Sequence, residues 1–142
     1  VSSSIRQKGE QSMWRSLRPR MLPLDPHRIE NSTEKGTPDV NYAHGWIELK
    51  YCKTWPKRAA TPLRIVHFTK EQRAWLERRE IAGGLSWVLL KVGESEWLLF
   101  RGGVAAFELG NVNKERLYHL CTARWTRLPN KEELISCLTP NR

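Results

Sequence analysis

Two acids and a lysine, closely spaced, are the residues of this sequence best equipped for chemistry. Asp39 follows a proline in GTPDV, and Glu48, Leu49 and Lys50 stand together in GWIELK nine positions on. Carboxylates converging on one point offer the hard oxygen ligands that Mg²⁺ takes one or two at a time, with water and substrate phosphate completing its shell. A cation held in this way acidifies water and offsets charge on a phosphodiester under attack. A lysine alongside puts a point charge where negative charge grows. The Leu49 side chain would point away, yet its backbone carbonyl is one more oxygen ligand. The same residues would equally make an ion pair on a half-exposed strand and an acid in the turn after Pro38, and the string alone does not choose.

These side chains need elements to hold them. In WIELKYC, Ile47, Leu49 and Tyr51 alternate with Trp46, Glu48, Lys50 and Cys52, which predicts a strand with Glu48 and Lys50 on one face. DPHRIEN and PDVNYA predict two short strands before it, with AHG as the turn into the third, so Asp39 and Glu48 fall on neighbouring strands. Ahead of them, KGEQSMWRSLRPR predicts a helix with Met13, Trp14 and Leu17 on one stripe, closed by Pro19 and Pro23. Glu10 lies on that inward stripe, where a carboxylate without a partner is costly. TKEQRAWLERREIAGG predicts the clearest helix, begun by a Thr69–Gln72 capping box and stopped by Gly83 and Gly84. SWVLLKV and EWLLF, joined by GES, predict a hairpin, and GGVAAFELG and NKEELISCL two further helices. The order is α-β-β-β-α-β-β followed by helices, an α/β layout with a mixed sheet.

At 142 residues the chain is most simply one domain. The polar start, residues 1–6, is set aside as a flexible leader; residues 7–142 form the domain, a core over about 7–100 and a C-terminal helical extension over about 101–142. A hydrophobic content of 39% with seven tryptophans excludes disorder of the whole chain. No apolar run approaches the ~18 residues of a membrane span. Cys52, Cys121 and Cys137 show no CxxC or Cys/His ligand spacing, which argues against a zinc site or disulfide framework and for a reducing, cytoplasmic setting. The net charge of +9 is uneven. Residues 1–28 carry six Lys/Arg against two acids and residues 50–80 nine against three, while residues 29–49 carry four acids against Lys35 alone. An acidic island between basic arms is either a solvated surface or the footprint of a polyanion, cationic flanks holding phosphates around an anionic centre.

With these residues in this order, the chain resembles the PD-(D/E)xK nuclease superfamily. Within it, the chain is similar to the small VRR-NUC and archaeal Holliday-junction-resolvase-like group, including stand-alone versions encoded by phages. The resemblance spans about Glu10 to Phe100. It implies a restriction-endonuclease-like αβββαβ core and a Mg²⁺ cofactor, with Mn²⁺ able to substitute and no small-molecule cofactor. Asp39 and Glu48 would be the metal carboxylates, Lys50 the catalytic lysine and Glu10 the helix-borne acid completing the site. Gln72 would be the glutamine that follows the motif on the next helix, Gly36 and Pro38 the G-x-P-D shape, and Asn31 a recurring polar position upstream. Glu30, in RIEN, competes with Glu10 for the role of extra acid. The implied activity is hydrolysis of DNA leaving a 5′-phosphate, on branched DNA such as a Holliday junction or at a defined sequence, as in restriction- or homing-type enzymes. RNA is a further possible substrate.

The remaining residues divide between site and scaffold. Lys53, Lys57, Arg58 and Arg64, just past the motif, are candidate phosphate contacts as against solvated loop charges. Gln72 could serve only as a cap. Trp14, Trp75, Trp87 and Trp97 fall on inward positions and read as core, while Trp55, in KTWPKR, either stacks on an exposed base or lies against the protein. His44 and His67 lack a partner pattern and read as turn and strand-end residues. A homodimer is expected, because cutting two strands with one site per chain takes two chains. The rival from another class is a non-catalytic nucleic-acid-binding module, which would have no need of the Asp39, Glu48 and Lys50 set.

Overall fold

The computed structural model describes residues 3–30 and 33–140. Asn31, assigned a site-adjacent role from the sequence, lies outside the described residues. Among the described residues, five helices and a short 3₁₀ turn surround a six-stranded mixed sheet whose spatial order follows the chain: β1 (His27–Arg28), β2 (Val40–Tyr42), β3 (Gly45–Cys52), β4 (Leu85–Val92), β5 (Glu96–Arg101) and β6 (Ala123–Trp125). All neighbouring pairs are antiparallel except β3 and β4, which run parallel. A parallel pair needs a long crossover, supplied here by the segment 53–84 that contains α2 (Lys70–Ile81).

Period-two alternation sorts the sheet's side chains into two cores. Ile47, Leu49, Trp87, Leu89, Trp97 and Leu99 meet Met13, Leu17 and Met21 of α1 (Ser3–Met21) and Leu134 and Leu138 of α5 (Lys131–Leu138). Val88, Leu90, Leu98 and Phe100 meet Leu76 of α2, Ala105 of α3 (Gly102–Glu108) and Leu117 of α4 (Lys114–Leu120). The central strand β4 is covered on both faces, which is why SWVLLKV reads as a nearly continuous apolar run. Tyr42 fastens α5 to the sheet: its hydroxyl donates to the Leu138 carbonyl (2.7 Å) and accepts from Trp87 Nε1 (3.0 Å). Trp75, Trp87 and Trp97 are buried, whereas Trp14 is only half-buried.

Several elements differ from expectation. The first helix begins at Ser3, inside the segment set aside as a leader, and runs through Pro19 to Met21. Proline removes one backbone bond, a tolerable loss so near the end of a helix already anchored by Met13, Leu17 and Met21. The strand expected in DPHRIEN shrinks to two residues. The C-terminal extension holds an unforeseen helix, α4, and an unforeseen strand, β6, which pairs with β5 and completes the sheet. A three-residue edge strand carries too short an alternation to register in sequence.

The register leaves a notch that the site uses. Val40 of β2 pairs with Ile47, so β3 continues from Glu48 to Cys52 with no β2 partner. Helix α1 passes this open edge from one face, and the N-terminus of α2 closes on it from the other.

Candidate active site

Around the notch lies a pocket of about 410 Å³ lined by Glu10, Asp39, Glu48, Lys50 and Gln72, together with Arg6, Arg28 and His67. Backbone constraints bring these groups together. Asp39 stands just before β2, where its Oδ2 accepts from the Leu49 N–H (2.8 Å), doing with a side chain what a longer β2 would do with its backbone. In a strand the N–H and C=O of one residue point to the same edge, so the Leu49 carbonyl also emerges into the notch. Its side chain is buried in the α1-side core.

Two glycines set the spacing. Gly36 has φ +85°, and a Cβ there would lie 2.4 Å from the Glu71 carbonyl oxygen; only glycine lets the turn before Asp39 press against the first turn of α2. Gly9 packs on the Tyr51 ring, where a Cβ would come within 2.3 Å, so α1 lies close enough on β3 to carry Glu10 into the pocket.

Glu48 and Lys50 share one face of β3, and both side chains are about 97–98% buried (3% and 2% exposed) with Oε2 and Nζ 3.3 Å apart. An ammonium has three hydrogens, and the other two reach the His67 carbonyl (2.5 Å) and Gln72 Oε1 (2.9 Å). The same Gln72 oxygen accepts from the Thr69 N–H (3.0 Å), while the Thr69 hydroxyl accepts from the Gln72 N–H (3.1 Å). Gln72 therefore caps α2 and holds Lys50 at once.

Burial pushes the Glu48 carboxyl well above its usual range, and the neighbouring Asp39 pushes it further against the opposing effect of Lys50. Asp39 and Glu48 line the same pocket, so the charge on Asp39 opposes ionisation of Glu48. Glu10, buried on α1, is likewise raised, first by burial; Lys50 opposes, Asp39 adds to the rise and Arg6 opposes in turn. Arginines attend two of the three acids. Arg28 Nη1 donates to Asp39 Oδ1 (3.0 Å) and to the Asp39 carbonyl (3.1 Å), and Arg6 Nη1 reaches both Glu10 oxygens (3.2 and 3.3 Å). The His67 imidazole, on an exposed residue, is pushed below its usual pKa by partial desolvation and then by Arg6 and Lys50.

This donor set fits a magnesium-type ion. Asp39 and Glu48 bring two carboxylates into one pocket and supply hard oxygens, with the Leu49 carbonyl at the same edge. No group of three or more His, Cys, Asp or Glu side chains among the described residues forms a ready-made metal cage. Mg²⁺ does not require one, since it takes one or two carboxylates and leaves the rest of its shell to water and phosphate.

The other candidates are distributed around the pocket. Glu30 is exposed and does not line it. Lys53, Lys57, Arg58 and Arg64 are all exposed on the segment between β3 and α2. Lys53 and Arg64 line a second, smaller cavity beside the first, and Lys57 and Arg58 line neither. Trp55 lies against the protein: its Nε1 donates to Glu96 Oε1 (2.8 Å) and its ring meets Tyr118 edge-on. Arg6, Arg28 and the His67 carbonyl escaped the sequence reading. Arg6 stands four residues before Glu10, a helical ion-pair spacing that becomes visible once the helix is extended past Lys8. Arg28 reaches Asp39 because it pairs opposite Val40, a register that sequence does not state. A backbone carbonyl has no residue-type signature at all.

No family model matches the sequence, and no curated protein matches it. Among solved structures, the chain is similar to Hjc of Archaeoglobus fulgidus, a Holliday junction resolvase from an archaeal hyperthermophile, with 16% identity over 81% of this chain and 93% of that chain and a TM-score of 0.50. The likeness establishes the architecture: the chain has an α/β, restriction-endonuclease-like fold with a mixed sheet, shared with Hjc.

Proposed function

We propose that the protein is a Mg²⁺-dependent DNA endonuclease acting on branched DNA, with Asp39, Glu48 and the Leu49 carbonyl as metal ligands and Glu10 completing the set. The observation that carries this reading is one pocket that gathers Asp39, Glu48 and Glu10 with Lys50, whose Nζ lies 3.3 Å from Glu48 Oε2. The junction substrate is supported by the fold shared with a Holliday junction resolvase. The finer affinity to VRR-NUC-type enzymes rests on the PD, ExK and T-x-x-Q motifs alone.

Magnesium in this position would supply Lewis acidity toward both water and the phosphodiester. The chain's own groups do the rest. Lys50 is held by the His67 carbonyl and Gln72 beside Glu48, and its ammonium would place a positive charge next to a phosphate oxygen bound in the pocket. Arg28, beside Asp39 in the same pocket, would offer a second cation to that phosphate. Lys53, Lys57, Arg58 and Arg64 hold flanking phosphates without reading sequence. In-line hydrolysis leaves a 5′-phosphate, and two chains acting together cut the two strands of a junction.

The test compares a four-way junction, a linear duplex and a nickable plasmid, with Mg²⁺, Mn²⁺ or EDTA, for the wild type and Asp39→Ala. The expected result is metal-dependent cleavage of the junction that D39A abolishes. Metal-independent binding without any cutting would instead identify a binding module, and preference for one linear sequence a site-specific enzyme.

A further inference from the structure

The Arg6 guanidinium is placed for more than an ion pair with Glu10. Its side chain is 13% exposed, yet only Nη1 is used, on the two Glu10 oxygens. Its Nε is buried with no hydrogen-bond partner, one of two such side-chain atoms among the described residues. A buried N–H of this kind is met by an ordered water or by an acceptor that a ligand brings. The position of Arg6 indicates which ligand. Arg6 lines the acidic pocket and also an adjoining cavity of about 90 Å³ whose other charged residues are Lys53 and Arg64. That cavity has no acidic residue in its lining and brings three cations together, the chemistry of a phosphate site. Arginine suits a shared position because its planar fork can serve two oxygens in different directions, which an ammonium on a flexible stem does less well.

We propose that Arg6 is shared between two phosphate subsites, its guanidinium holding the phosphate under attack in the acidic pocket and the adjoining phosphate of the same strand in the cavity of Lys53 and Arg64. This rests on the nuclease reading above and adds to it the path of the strand: from the notch, past Arg6, onto the segment that follows β3. The grip is on backbone phosphates, so it is independent of base sequence.

The experiment measures binding of a fluorescein-labelled four-way DNA junction by anisotropy across a salt series, in Ca²⁺, with strand integrity checked on the same samples. R6Q, K53A and R64A should each lower the salt slope by about one unit relative to wild type. The double variant R6Q/R64A should lose less affinity than the product of the single losses, because the two residues hold one phosphate. R6K keeps a charge opposite Glu10 but lacks the fork; it should melt with the wild type and still bind more weakly, which separates binding from folding. If R6Q lowers turnover while slope and affinity stay at wild-type values, Arg6 merely orients Glu10 and the proposal is overturned. Multiplicative losses in R6Q/R64A would likewise exclude a shared phosphate. Slope changes as expected in a protein that never cleaves would leave the subsites standing and remove the nuclease reading instead.

Discussion

Replacing Gln72 by alanine removes two hydrogen bonds that meet at one oxygen, one capping α2 and the other holding Lys50. Loss of a cap costs about 1 kcal/mol, and loss of a hydrogen bond to a charged group about 1.5–3 kcal/mol. The expected destabilisation is therefore roughly 2.5–4 kcal/mol. For a chain of this length that corresponds to a melting point lower by roughly 8–15 °C. Thr69→Ala is the matched control: it breaks the other half of the capping box without touching Lys50 and should cost only about 1 kcal/mol. Junction cleavage should fall roughly 10- to 100-fold in Q72A, as a misaimed Lys50 implies, and stay near wild type in T69A. Q72E keeps acceptors for both bonds and suits the first turn of a helix, so it should preserve the melting point. It adds a negative charge where a phosphate must approach, so cleavage should still drop. The assays are differential scanning fluorimetry and cleavage under single-turnover conditions. Equal melting points for Q72A and T69A, with cleavage intact in both, would refute the idea that the Gln72–Lys50 bond orders the site.

Two further predictions concern the scaffold. At Glu96, burial alone would raise the carboxyl, but hydrogen bonds from Tyr118 and Trp55, with Lys114 and Arg124, outweigh it and hold its pKa below the usual range. A lowered folded-state pKa gives stability that is present above the unfolded value of about 4.3 and lost as pH falls through the folded one. Glu96→Gln should thus melt below the wild type at pH 7, with the gap closing on acidification toward pH 3; a gap independent of pH would count against the Glu96 cluster. Gly36→Ala meets both a positive φ and a carbonyl 2.4 Å from the new methyl, whereas Gly83→Ala meets a positive φ and open space. G83A should cost about 1–2 kcal/mol, and G36A clearly more together with most of the cleavage, since Asp39 moves with the turn. Comparable stability and activity in the two variants would show that the turn does not press on α2 as described.

Much of the site's chemistry was legible in residue types at short range. Alternation in WIELKYC put Glu48 and Lys50 on one face, and T-x-x-Q announced a cap, because both are local rules spanning two or three residues. The inward position of Glu10 came from helical periodicity. What stayed hidden depends on pairings between distant segments. The notch arises from the register of a three-residue strand, and Arg28 meets Asp39 through that register. Lys50 is aimed by a carbonyl seventeen residues away, which no composition could reveal. Arg6 was lost with the polar start, whose hydrophobic pattern is too weak to announce a helix.

The sequence by itself determined the order of elements through β5, the two faces of β3 and the acid and lysine that one face presents, because periodicity and capping are set by neighbours along the chain. Only the tertiary structure decided that Asp39 and Glu48 share one pocket, that Gln72 serves cap and lysine with one oxygen, and that Arg6 stands between two cavities. Those contacts come from packing α1 and α2 against opposite faces at an open sheet edge, where glycines rather than charged residues set the distances.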